Sequence, residues 1–223
     1  MQVIPVLDLI EGRVVRAKMG DRDAYRPIET PLSATADPVD VTRGLLRLGP
    51  FPTLYIADLD AIRGRGDNFA ALAGLREAFP DVELWIDNGA ATLATVEATQ
   101  RFGVPVLGSE SQADAALVAS RRDALLSLDF RGEAFQGPPE LLSRPGLWPE
   151  RVIVMTLHRV GGGAGPDFER LAAIRARADG RRLYAAGGVR DGADLTALKS
   201  AGAAGVLVAS ALHDGRIGPA DWA

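Results

Sequence analysis

Val3-Ile4-Pro5-Val6-Leu7-Asp8-Leu9 is an apolar run of strand length interrupted by a carboxylate, and Leu126-Ser127-Leu128-Asp129-Phe130 repeats the device in the second half of the chain. An aspartate in such surroundings is costly to bury unless something solvates it or pairs with it. Its placement after five hydrophobic or proline positions therefore points to a use. The echo extends outward: Leu84-Trp85-Ile86-Asp87-Asn88-Gly89 aligns with Leu183-Tyr184-Ala185-Ala186-Gly187-Gly188, and Gly108-Ser109 with Ala209-Ser210. Agreement at several strand ends, in the same order, is an internal repeat of half the chain.

Eight apolar runs can be counted: Val3–Leu7, Thr53–Ala57, Glu83–Ile86, Val104–Leu107, Ala124–Leu128, Arg151–Met155, Arg182–Ala185 and Gly205–Val208. They are mostly continuous hydrophobics, as strands buried on both faces require, and amphipathic stretches separate them. Asp37-Pro38 reads as an N-cap followed by proline at the first helical position, with Val41, Leu45, Leu46 and Leu48 as one stripe ending at Gly49. Asn68, Thr92, Asp167 and Asp191 start later helices in similar ways. Alternating βα units of this number predict an α/β chain, a single (β/α)8 TIM barrel over residues 1–223 with a half-barrel repeat. In that fold the C-terminal strand ends form the catalytic face, so Asp8 and Asp129, ending the first and fifth strands, should meet across one mouth.

Composition narrows the function. With 47% hydrophobic residues, 24% charged and a net charge of −4, the chain lacks the basic excess of a nucleic-acid binder. It has no cysteine and two histidines, so a disulfide framework is excluded and a zinc site has little to draw on. The amino terminus has neither a basic n-region nor a long apolar run, which predicts a cytoplasmic protein with no membrane partner. No cofactor and no metal are expected; the oligomeric state is left open.

Two carboxylates facing each other across a mouth can serve as base and acid on a substrate stretched between them, a contribution of roughly 10²–10⁴-fold per proton transfer. Thr156, at the sixth strand end, is placed to hydrogen-bond the reacting portion, the alternative being an ordinary β-branched strand residue. Gly187 and Gly188 join a strand to a helix start, where glycines let backbone N–H groups approach an anion. Together with Ala209 and Ser210 they predict the phosphate site that the loops after strands seven and eight often form in this fold. The expected partner is a small phosphorylated metabolite.

Ile4-Pro5-Val6-Leu7-Asp8-Leu9, Asp58-Leu59-Asp60-Ala61, Leu128-Asp129, Ala186-Gly187-Gly188-Val189 and Gly215-Arg216 fall in an order that resembles one family over nearly the whole chain. It is the histidine-biosynthesis HisA/HisF family, which contains phosphoribosylformimino-aminoimidazole carboxamide ribotide isomerase and the imidazole glycerol phosphate synthase cyclase; the isomerase is the nearer. The resemblance implies a barrel of ribulose-phosphate-binding type. It also implies that Asp8 acts as general base and Asp129 as general acid in an Amadori-type aldose-to-ketose isomerisation, with Thr156 assisting the acid. Asp58 is counted with the substrate-binding residues, and Arg13-Val14-Val15-Arg16 resembles the family's hairpin-like first loop.

The sequence departs from that family where the isomerases carry a second phosphate site, Gly-Gly-Gly-Ile-Arg after strand three. Here the segment reads Asp87-Asn88-Gly89-Ala90-Ala91, and Gly108-Ser109-Glu110-Ser111 sets another carboxylate beside it. Two like charges about 4 Å apart repel by roughly 4 kcal/mol at an effective dielectric near 20, so Asp87, Asn88 and Glu110 should receive a neutral or cationic group. The alternative turns Asp87 and Glu110 aside into salt bridges, or has them hold a cation. Loop six carries His158, expected near the mouth unless it is structural; the fifth-strand loop lacks the isomerase's stacking tryptophan, and Arg131 is expected to replace some of that contact. Arg16, Lys18, Arg22 and Arg26 surround loop one, either as a basic lid that attracts an anion or as a solvated face. The expectation is a divergent enzyme, an isomerase or alternatively a lyase, that anchors one phosphate. The alternatives are a genuine histidine-pathway isomerase, an enzyme of one-carbon cofactor biosynthesis of methanopterin or methanofuran type, and a non-catalytic phosphometabolite-binding barrel.

Overall fold

Eleven strands form one sheet that closes on itself in the computed structural model, which describes residues 1–17 and 21–222. Lys18 and the side chain of Arg22 lie outside the described residues. The eight staves are β1 (Gln2–Ile10), β4 (Thr53–Asp58), β5 (Glu83–Asp87), β6 (Val104–Gly108), β7 (Leu125–Arg131), β9 (Arg151–Thr156), β10 (Arg182–Ala186) and β11 (Gly205–Val208). All pair in parallel with their neighbours, and Gln2–Pro5 against Gly205–Val208 closes the ring. This is the expected (β/α)8 barrel. The other strands are antiparallel additions: β2 (Arg13–Arg16) pairs with β1, β3 (Arg26–Pro27) with β2, and β8 (Ala134–Gln136) with β7.

Helices α1 (Pro38–Leu46), α2 (Leu59–Ile62), α3 (Phe69–Ala78), α4 (Leu93–Gln100), α5 (Ala116–Ser120), α6 (Pro139–Ser143), α7 (Phe168–Arg175), α8 (Gly192–Ser200) and α9 (Ser210–His213) lie between staves and after the last one. Asp37, Thr92, Asp167 and Asp191 cap their helices as predicted, each accepting backbone N–H groups of the first turn. Asn68 precedes α3 without capping it, because its Oδ1 takes the Gly12 N–H instead. Helix α1 stops at Leu46, before Gly49, while Leu48 still packs on the core. No described helix is long and apolar enough to cross a membrane.

A side-chain period of two sorts every stave into an inward and an outward set. Ile4, Tyr55, Trp85, Val106, Leu125, Ile153, Tyr184 and Leu207 form the barrel interior. Their neighbours Val3, Leu7, Leu54, Ile56, Leu84, Ile86, Leu126, Leu128, Val152, Val154 and Leu183 pack outward under the helices. Trp85 and Tyr184 fill the interior edge to face, with centroids 4.9 Å apart. The Arg151 guanidinium stacks 5.3 Å over Trp85, and Glu83 accepts the Trp85 indole N–H at 2.7 Å.

Two differences from the sequence expectation bear on the site. Strand β1 runs two residues past Asp8, to Ile10, because it turns back as a hairpin through Glu11 (φ 50°) and Gly12 (φ 73°), the left-handed pair of a tight turn. Asp8 therefore sits within the strand, opposite Val15 and Ala57. The loop after the fifth stave is likewise a hairpin, with Asp129 opposite Gln136. Trp85→Ala should lower the unfolding free energy by about 3–5 kcal/mol, read from urea denaturation; a change under about 1 kcal/mol would deny the interior layer its structural role.

Candidate active site

A pocket opens at the C-terminal ends of the staves, and both Asp8 and Asp129 line it. The two belong to the inward sets of β1 and β7, so the expected meeting across one mouth holds. Asp8 is half-buried and in contact with its surroundings, whereas Asp129 is 3% exposed. Asp129 is held from several sides: Ser127 Oγ donates to Oδ1 at 2.6 Å, and the Glu110 N–H donates to Oδ2 at 3.1 Å. Ser109 Oγ lies 3.2 Å from Oδ2, accepts the Asp129 N–H at 2.9 Å, and is 2.7 Å from the Gln136 carbonyl. A serine has one hydroxyl proton, and its shortest acceptor here is the Gln136 carbonyl. Burial first, then the Asp87 charge, push the Asp129 carboxyl up to about 7, against the downward pull of Ser127 and the Glu110 N–H.

Asp87 ends β5 on the same inward parity. Tyr55 Oη donates to its Oδ2 at 3.0 Å and the Gly89 N–H to its Oδ1 at 3.2 Å. Burial, then the Asp87 charge, raise the Tyr55 phenol well above its ordinary range, so it stays a donor. Glu110 is exposed and lines the pocket with Asp87 and Arg131. Gly108 is the bare point between the carboxylates: a Cβ there would lie 3.4 Å from Asp129 Oδ2 and 3.5 Å from Asp87 Oδ2.

The opposite side of the pocket is lined by Gly187, Gly188, Ala209, Ser210 and Arg216. Gly187 and Gly188 have φ of 102° and 90°, and a Cβ on Gly188 would meet the Gly165 carbonyl at 2.2 Å. Only glycine lets this loop pack on loop six, where the Gly165 N–H donates to the Gly188 carbonyl at 3.1 Å. Arg216 is aimed by Asp214 at 3.2 Å and by the Arg190 carbonyl at 3.2 Å, while Arg190 itself is turned aside into a two-toothed pair with Asp194.

Five predicted site residues are not brought to this pocket. Asp58 is fully buried and outward-facing; it accepts from the Ala61 N–H and from both nitrogens of Asn68, whose Oδ1 takes the Gly12 N–H at 2.7 Å. It therefore braces the first hairpin. Asn88 also faces outward, donating to Thr99 of α4 at 2.9 Å, with its Oδ1 buried and unpartnered. Thr156 shares the outward parity of Val152 and Val154 and is 1% exposed; Met155 and Leu157 line the pocket on either side of it. His158 is exposed, outside the lining, and accepts the Gly132 N–H at 3.0 Å, stitching loop six to the β7–β8 hairpin. Arg16 pairs with Asp214 at 2.7 Å and borders a small side cleft with Asp8, Ser210 and His213 rather than the main pocket. Arg26 bonds the Asp23 and Tyr25 carbonyls, and Lys18 lies outside the described residues.

Tyr55, Ser127, Ser109, Gly108 and Arg216 were missed. The first two were within reach of the sequence, since Tyr55 and Ser127 sit two residues before Ala57 and Asp129 and so share their faces. Among the described residues no group of three or more His, Asp or Glu converges to hold a metal ion.

The barrel thus brings Asp8, Asp87, Asp129 and the Gly187–Gly188 loop into the wall of one pocket at its C-terminal rim. Comparison supplies the family: the family model described as "Histidine biosynthesis protein" matches residues 2–132 and 147–218, and the chain belongs to that family. It is 30% identical over 96% of its length to the 1-(5-phosphoribosyl)-5-((5-phosphoribosylamino)methylideneamino) imidazole-4-carboxamide isomerase of Rubrobacter xylanophilus, 92% of which is covered. The isomerase of the same name from Thermus thermophilus is 29% identical, covering 97% of this chain and 96% of its own. An uncharacterized protein of Methanocaldococcus jannaschii is 26% identical over 96% of this chain and 94% of its own.

The folded state binds the Asp129 proton more tightly than the unfolded chain does, so this group's contribution to stability falls as pH rises from about 4 through about 7, against an opposite contribution from His213, whose imidazole is depressed to about 4. Asp129→Asn should gain on the parent across that window, by roughly 1.4 kcal/mol per pKa unit, and no further above it. Urea denaturation at a series of pH values measures the difference; a pH-independent gap would contradict a raised carboxyl.

Proposed function

We propose that this chain is an acid/base isomerase of aldose–ketose, Amadori type, acting on a small phosphosugar-like metabolite held by one phosphate. The observation that carries this reading is that Asp8 and Asp129 line one pocket with Gly187, Gly188, Ala209, Ser210 and Arg216. The phosphate would take backbone N–H groups of the two glycines, which approach closely because they lack a Cβ, together with the Ser210 hydroxyl and the Arg216 charge. Asp129, carrying its proton, donates to the ring oxygen of an aminated aldose. The C1–O bond opens and the nitrogen lone pair forms the C1=N bond. Asp8 then removes the C2 proton and the electron pair moves through C1 to nitrogen; the resulting enol becomes the ketose as protonated Asp8 returns its proton to C1 and the C2 hydroxyl proton passes back to Asp129. Nothing is gained or lost overall.

The far end of the substrate is neutral or cationic in this reading. Asp87 and Glu110 line that part of the pocket, and Asn88 faces away from it, so a second phosphate dianion meets carboxylates there rather than amides. A doubly phosphorylated substrate such as the named isomerases take is thereby disfavoured, and the chain should not rescue an isomerase-deficient histidine auxotroph; rescue would overturn this part.

The substrate can be sought by mass spectrometry of metabolites retained on gently purified protein. On that compound Asp8→Asn and Asp129→Asn should each lower kcat/KM by about 10²-fold or more, and values within twofold of the parent would remove both from the chemistry. Phosphate soaked into crystals should appear at Gly188 and Ser210, with Arg216→Ala weakening it about tenfold; anions found only beside Asn88 and Ser109 would reverse the orientation.

A further inference from the structure

We propose that Asp87 is a positioning residue for Asp129: a strand-end carboxylate, fixed by Tyr55 and Gly89 across the bare backbone of Gly108, whose charge keeps the proton on the fifth-stave carboxyl. The inference rests on Asp129 being the acid of the reaction proposed above. Both oxygens of Asp87 receive a donor, Tyr55 Oη at 3.0 Å and the Gly89 N–H at 3.2 Å, which favours its ionised form. Both Oδ2 atoms lie within 3.5 Å of the point where a Gly108 Cβ would stand, with no side chain there to part them. Asp129 is the more deeply buried of the two, 3% exposed against 9% for Asp87, and Glu110 adds a further negative charge beside it. Two buried like charges so placed do not both ionise, and the more deeply buried one keeps its proton. The other groups facing Asp129 are Glu110 from the turn after β6, Tyr55 from β4, Asp8 across the pocket and Arg131 along its own strand.

Titration of the aspartate side-chain carbons by ¹³C NMR, on the whole protein, reads this directly. Asp87→Asn should lower the Asp129 midpoint by about one pH unit or more, whereas Ser127→Ala, which removes a donor to Asp129, should raise it. General loosening of the site would move both midpoints down together, and that result, or an unmoved midpoint in Asp87→Asn, would overturn the proposal. If Asp87→Asn does not fold, the wild type suffices: the Asp87 carbon must show a second inflection at the Asp129 midpoint, and a single inflection refutes the coupling. With substrate in hand, the alkaline limb of kcat should move down by about one pH unit in Asp87→Asn. Should Asp129→Asn instead retain full turnover, the isomerase reading fails while a coupled titration would still stand, so the two failures are told apart.

Discussion

Closure of the ring is the constraint on which the rest depends. Once Gln2–Pro5 pairs with Gly205–Val208, no stave can slip by one residue without turning its whole inward set into the helical layer. Every stave therefore has a fixed parity, and that parity decides which side chains reach the pocket. Asp8, Asp87 and Asp129 are in phase with Ile4, Trp85 and Leu125; Asp58, Asn88 and Thr156 are in phase with Leu54, Leu84 and Val152. The same chemistry one residue away becomes structure instead of site.

On the inner face, that alignment brings Asp87 and Asp129 to neighbouring staves, with Asp8, the glycines, Ser210 and Arg216 lining the same pocket. Burial first and then the Asp87 charge raise the proton affinity of Asp129, and its hydrogen bonds set how far. The glycines contribute by what they omit: at Gly188 the loop carbonyl of Gly165 occupies the place of a side chain, and at Gly108 two carboxylate oxygens come close to it.

The outward polar residues hold the frame of the pocket. Asp58 and Asn68 tie the β1–β2 turn to the second stave through the Gly12 N–H, and Asp60 takes the N–H of Glu11. His158 joins loop six to the fifth-stave hairpin, while Asp214 draws both Arg16 and Arg216 toward α9. Burial, with Arg16 nearby, depresses the His213 imidazole to about 4, so it remains neutral beneath this ion pair and contacts Thr30 at 3.2 Å. Residues that looked like ligands thus join loops to one another.

The order of eight apolar runs, the half-barrel echo and the aspartates closing two of the runs are carried by the residues themselves, because local hydrophobic pattern and strand length are properties of short segments. The carboxylate at Asp87, in place of a glycine-rich phosphate site, was equally legible. Tertiary structure alone decided which of Asp87 and Asn88 faces the pocket, that His158 bonds Gly132, that Arg216 reaches the glycine cradle, and that Ser109 and Ser127 embrace Asp129. Parity follows from ring closure between chain ends, and proton affinity from the burial and charges that distant strands bring together; neither is written in any single stretch.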